Sequence, residues 1–226
     1  MSTIPPSTFA FLRDLAANND RDWFSRNKDR YIADVQEPAL EFIMAFEPRL
    51  AAISPHFTAD ARTVGGSLFR IHRDTRFSKD KTPYKTNTGV QFRHHAGKDA
   101  HAPGFYLHIQ PGESFMGVGL WRPETKVAYR IRAAIDDDRK GWGNAAHSPS
   151  FREHFALAGD SLVRPPKGYE ETHPLIDDLK RKDFIASASL SDEVITDPDF
   201  FDRFGDLCQV SSPFMAFLCK AVNVPY

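Results

Sequence analysis

The stretch RIHRDTRFSKDKTPYKT, from Arg70 to Thr86, holds six cations (Arg70, Arg73, Arg76, Lys79, Lys81 and Lys85) and two acids, Asp74 and Asp80. This local excess of +4 sits in a chain of formal net charge −1, so everything else sums to −5. Crowded guanidinium and ammonium groups repel one another and must be offset, by acids of the chain or by an anionic ligand. Hydroxyls of Thr75, Ser78, Thr82 and Tyr84, with the backbone amides, add uncharged donors. A phosphate, sulfate or carboxylate is bound by such a mixture of planar guanidinium, point-charge ammonium and neutral donors. Pro83 stiffens the loop and lowers the cost of ordering it. We therefore expect a small anionic, phosphorylated ligand, bound by Arg73, Arg76, Ser78, Lys79, Lys81, Tyr84 and Lys85. The competing account is an internal ion-pair network, Asp74 with Arg73 or Arg76 and Asp80 with Lys81.

A second feature points to the same region. In FMGVGLW, Gly117 and Gly119 fall on one strand face between Phe115 and Trp121, leaving a trough walled by Trp121 and Tyr106. Glycine in a strand marks a ligand, close helix packing or a bulge, and packing or a bulge is the favoured reading. A helix opening at Pro123 would direct its amides back to this strand end, with Arg122 alongside. The same loop allows two other functions. In an enzyme of phosphoryl or acyl transfer or hydrolysis, Asp74 or Asp80 would be base or magnesium ligand. As an interaction module it would meet nucleic acid or a partner protein, and a pI near 6.8 with no longer basic face counts against nucleic acid.

Other chemistry finds little support. Histidines 72, 94, 95, 101 and 108 show no HxH or HExxH spacing and read as scattered, so no metal site and no cofactor is expected. The run Asp136-Asp137-Asp138 lacks calcium-loop spacing. No nucleotide P-loop and no G-x-S-x-G elbow occurs. Cys208 and Cys219 lie about three turns apart on one expected helix, roughly 16 Å, too far for a bridge unless the helix folds back.

The elements that position the stretch follow from periodicity. A first helix capped by Ser7 or Thr8 carries Phe9, Leu12 and Leu15 and ends near Asn18-Asn19. A second, capped by Asp20 or Asp22, runs at three- and four-residue steps from Trp23 to Ile53, and Pro38 should kink or divide it. Its Trp23, Asn27 and Tyr31 face reads as a helix–sheet interface rather than a pocket wall. From Gly65 the period becomes two: strands are expected over Ser67–Arg73, Thr88–His95, Gly104–Pro111 and Glu113–Trp121, with a tight Pro111-Gly112 turn. Residues 148–159 read as a helix, Asp183–Ser191 as a strand, and the C-terminus as a helix broken near Pro213. Strands joined too closely for parallel crossovers, flanked by helices, give an α+β fold: a mainly antiparallel sheet with helices packed on it.

The composition, 41% hydrophobic and 26% charged with nineteen phenylalanines, is that of a globular chain with an aromatic core. No stretch approaches the ~20 apolar residues of a membrane span. The opening MSTIPPSTFAF lacks a secretory pattern, and cytoplasmic placement with free thiols is the expectation. No linker divides the chain. We expect one α+β domain over 1–226: a helical segment 1–55, a strand-rich core 65–122 and a mixed, mostly helical 123–226. Oligomeric state is not legible.

Three segments, FLRDLAANNDRDWFSRNKDRY, RIHRDTRFSKDKTPYKTNTG and GFYLHIQPGESFMGVGLWRPE, together resemble the domain of unknown function 2461 family. The resemblance implies a single cytosolic domain. It brings no activity, cofactor or catalytic role to Arg73, Asp74, Arg76, Lys79, Asp80 or Tyr84.

Overall fold

The computed structural model of the protein describes residues 3–97 and 103–226; His101, weighed above, lies outside them. The N-terminal part is helical: α1 (Pro6–Ala17), α2 (Arg21–Arg26), α3 (Lys28–Tyr31), a π-helical turn (Ile32–Gln36) and α4 (Glu37–Ile53). Asp20 caps α2, its Oδ1 accepting the Trp23 N–H at 2.8 Å. α1 starts one residue before the expected Ser7 or Thr8 cap, behind Pro5, with no side-chain cap.

Thr8 has a different task. Pro38 has no N–H to give the carbonyl four residues back, which belongs to Asp34. The helix widens there to a π turn, closed by the Glu37 N–H on the Ile32 carbonyl. The buried Thr8 hydroxyl donates to the Asp34 carbonyl at 2.5 Å, filling the vacancy that proline leaves. Pro38 thus divides the second helix, as its position predicts, while Pro48 lies inside α4 without ending it.

The sheet contains β1 (Phe57–Thr58), β2 (Thr88–His94), β3 (Gly104–Ile109) and β4 (Ser114–Leu120). After α5 (Thr125–Asp137), α6 (Arg139–Ala146) and α7 (Pro149–His154) come β5 (Ala156–Ala158), α8 (Ile176–Leu179) and β6 (Phe184–Leu190). The chain closes with α9 (Asp192–Thr196), α10 (Phe200–Val210) and α11 (Ser212–Ala221). The six strands lie in the order β1-β2-β3-β4-β6-β5, each pair antiparallel. The fold is α+β.

Two expected elements differ. Ser67–Arg73 is no regular strand: among the described residues it pairs by isolated bridges, Leu68↔Val90 and His72↔Tyr84. The helix expected over 148–159 stops at His154, and its last residues instead pair with β6 as β5. Cys208 and Cys219 fall on two helices, α10 and α11, rather than one. Both thiols are free and buried, and burial pushes Cys219 up to about 12.

Alternation along the strands separates two faces. Phe92, Phe105 and Val118 are cross-strand neighbours on the face that packs on helices. The ring of Phe46 from α4 lies 5.2 Å from Phe92, and Phe204 from α10 lies 6.0 Å from it. Buried side chains from Ile4 to Cys219 join in one apolar cluster there. The opposite face carries Gln91, Tyr106 and Gly117, paired in the same register. The long connection 59–87 runs over it, and there the site forms.

Candidate functional site

The connection is fastened to the edge of β2. Gln91 N–H donates to the Ser67 carbonyl at 2.8 Å and Phe69 N–H to the Gly89 carbonyl at 2.9 Å. It then doubles back as a loose hairpin, with Arg73 N–H on the Pro83 carbonyl and Lys85 N–H on the Ile71 carbonyl. The basic residues 74–82 form the tip. One side of this hairpin grips the N-terminal helices. Tyr84 is buried and stacks on Phe24 at 4.1 Å, while the Asn19 amide bonds both backbone groups of Tyr84 at 3.0 and 3.1 Å.

The other side walls a cavity of about 640 Å³ over the open sheet face. Lys85, Asn87, Gly89 and Gln91 line it at every second residue, an extended chain presenting one face. β3 contributes Gly104, Tyr106 and His108, and β4 contributes Phe115, Gly117 and Gly119, with Trp121 beyond. Phe69, Arg73 and Asp74 close it from the connection, and Ile185 from β6. The lining is chiefly aromatic and apolar with a few convergent polar groups, within the ~300–1,000 Å³ typical of small-molecule sites.

Its polar floor is wired through His108. Asn87 Nδ2 donates to His108 Nδ1 at 3.2 Å, so the Tyr106 hydroxyl, 3.0 Å from the same nitrogen, also donates. The ring proton therefore sits on Nε2 and goes to Gln110 Oε1 at 3.1 Å, and Gln110 Nε2 continues to Glu113 at 2.5 Å. Burial lowers the His108 pKa and raises that of Tyr106 to about 12, so both are held neutral near pH 7. His108 stacks on Phe115 at 4.7 Å, which fixes the ring plane. Gln91, only 7% exposed, accepts from Arg93 Nε at 3.2 Å and has no partner for its own amide donors among the described residues.

The basic stretch divides. Arg76 is held by Asp74 at 2.7 Å and Arg73 by Asp80 at 2.5 Å, with Arg73 also on the Thr82 hydroxyl. Internal ion pairs thus take two of the six cations, with Asp74 on Arg76 as expected but Asp80 on Arg73 rather than on Lys81. Hydrogen bonds from Arg76 hold the Asp74 carboxyl at about 2, and those from Thr82 and Arg73 do the same for Asp80. Carboxylates so acidic are poor bases near neutrality. Lys81 donates to the Thr75 carbonyl at 2.9 Å.

Lys85 differs from these. It is half-buried, its Nζ lies 5.5 Å from the Phe69 ring centre, and it has no acidic partner among the described residues. Burial, and secondarily the charge of Arg70, lowers its pKa.

Of the residues singled out in the sequence, the cavity brings together Arg73, Asp74 and Lys85 of the basic stretch with Tyr106, Phe115, Gly117, Gly119 and Trp121 of the trough. Arg76, Ser78, Lys79, Asp80 and Lys81 lie outside its lining, and Tyr84 faces the helices. Arg122 lines a separate hollow of about 650 Å³ with Tyr129 and Arg132, although its guanidinium sits 4.7 Å over the Trp121 ring. The helix expected to open at Pro123 starts two residues later, α5 beginning at Thr125 behind Glu124. Arg122 itself has φ +48° and gives its N–H to Asp183 at 2.7 Å. The two glycines of the trough part company. A Cβ on Gly117 would meet only ordinary contacts at 3.6–3.8 Å, so its missing side chain is open cavity. Gly119 has φ +112°, and a Cβ there would come 2.2 Å from the Phe184 carbonyl, so it is a backbone requirement. Asn87, Gln91, His108 (weighed there only as a scattered histidine) and Phe69 escaped the sequence reading as site residues. Carrying the every-second-residue pattern of β2 back to Lys85, and along β3 from Tyr106, would have found the first three.

The histidines are less scattered than expected: His56, His94 and His95 offer ring nitrogens within 4.8 Å of one another. His94 is already committed, its Nδ1 accepting Ala96 N–H at 3.1 Å and its Nε2 bonded to the Pro225 carbonyl at 2.8 Å. Two remaining imidazoles fall short of a zinc ligand set. The residues Trp23, Asn27 and Tyr31 form no part of the cavity lining; Tyr31 packs against Phe11 and Phe24.

A family model described as conserved hypothetical protein (DUF2461) matches residues 7–217. The chain belongs to that family. The match takes in every residue that lines the cavity of this DUF2461 chain. No curated protein and no solved structure matches it.

Proposed function

We propose that the protein binds a small organic anion in the cavity between the connection 59–87 and the open face of the sheet. The observation that carries this reading is Lys85: a half-buried ammonium on an aromatic wall, without an acidic partner among the described residues. A cation in that position is penalised by lost hydration, and an anionic ligand repays the penalty. Arg73 supports it, while Phe69, Phe115, Tyr106 and Trp121 favour a planar or apolar body behind the anionic group. Asn87 and Gln91 supply neutral hydrogen-bonding groups.

The reading is narrower than the sequence expectation, since the tip residues Arg76, Ser78, Lys79 and Lys81 are not in the lining. The test is a calorimetric screen of phosphorylated and carboxylated compounds. Lys85→Met should weaken binding of the best compound by about 1.5–3 kcal/mol, the value of a charged hydrogen bond, and Lys81→Met should leave it unchanged. Equal loss in both variants, or no binder at all, would refute the reading.

A further inference from the structure

We propose that Lys85 is a reactive amine that condenses with the carbonyl group of an aldehyde or ketone carrying an anionic substituent. This rests on the anion-site reading and adds the group that reacts.

The geometry comes first. Lys85 belongs to the cavity wall, beside the Phe69 ring and in no ion pair among the described residues, the Asp74 carboxylate of the same lining being held by Arg76. Its cationic neighbours are Arg73 in the lining and Arg70, which acts on it through space. An amine placed among apolar walls and beside another cation is driven toward its neutral, nucleophilic form. Burial and Arg70 accordingly hold its pKa below the ordinary lysine value. The other lysines of the stretch lack this setting, Lys79 being exposed and Lys81 exposed and bonded to the Thr75 carbonyl. Arg73 also lines the cavity, its guanidinium shared with Asp80 and Thr82, and is the cation there that a carboxylate or phosphate on the same ligand would approach.

The step balances without a further reagent. The Nζ lone pair attacks the carbonyl carbon, and the carbonyl π pair moves to oxygen. Both amine protons pass to that oxygen, directly or through water, and it leaves as water. The product is a C=N bond to Lys85, with no change of oxidation state.

The test uses the full chain, 4-carboxybenzaldehyde as carbonyl probe and terephthalate as the matching acid without a carbonyl. Labelling in the presence of cyanoborohydride at neutral pH is mapped by peptide mass spectrometry. Lys85 should be modified at least about tenfold faster than Lys79 or Lys81, and excess terephthalate should suppress that labelling. Lys85→Arg should lose the fast-labelled site while the slow labelling of Lys79 and Lys81 stays as in the unsubstituted chain. Terephthalate binding with Lys85 labelled no faster than Lys79 overturns the amine proposal alone. Neither binding nor selective labelling overturns both it and the anion site.

Discussion

His108 shows how much of the site is decided by single hydrogen bonds. Two donors, from Asn87 and Tyr106, converge on its Nδ1, so a proton added there would face both. Burial disfavours the charged ring first of all, and the folded-state pKa falls below 6.5. The unfolded chain then binds the proton more readily, so this residue's contribution to stability is lost as pH falls below about 6.5 and levels off under the folded pKa. We expect the melting temperature to drop between pH 7 and 5, and His108→Gln to flatten part of that drop. The remainder belongs to His94, whose pKa is lowered by burial too. A pH profile identical in the variant would contradict the wiring described. None of this is legible from residue types: Tyr106 reads as an aromatic wall, and its role as a donor appears only when β3 sets it two residues from His108 on one face.

Among the elements, β4 separates what a sequence tells from what it withholds. Its two glycines can be assigned to one side of a strand by counting. Whether either must be glycine depends on backbone angles, which residue order does not reveal. Gly117→Ala should fold with near-native stability and weaken ligand binding, because the added methyl group stays within ordinary contact distance yet occupies cavity. Gly119→Ala should destabilise by at least about 1–3 kcal/mol through its positive φ and the Phe184 carbonyl. Urea titration alongside binding of the best ligand distinguishes them, and equal stabilities would count against the two roles. The basic stretch teaches the same lesson in charge. Its excess of cations was plain, but the alternation of a loose hairpin decides that Lys85 faces the cavity while Tyr84 faces the helices, and that hairpin is held by bridges too sparse to leave a clear period.

At the scale of the whole molecule, helices pack on one face of a six-stranded antiparallel sheet and the long connection 59–87 crosses the other. This much was legible, since aromatic periodicity marks the helices and period-two alternation the strands. The asymmetry predicts where mutations hurt. Phe204 lies at the meeting of α10, α4 and β2, with rings of Phe42, Phe46 and Phe92 within 6.0 Å. Its replacement by alanine should cost about 3–5 kcal/mol. Phe77, at the hairpin tip and 95% exposed, should tolerate alanine within about 0.5 kcal/mol. A similar loss at both positions in denaturant unfolding would mean the tip is more deeply packed than described.

The clasp between Asn19 and the main chain of Tyr84 has a mechanical corollary. Lys85 is the next residue, so the turn joining the first two helices and the lysine of the cavity wall are coupled over one peptide unit. A guest that pulls on that lysine tugs the amino-terminal helices with it, and a chain trimmed before residue 20 would lose a hinge-pin of its own binding wall.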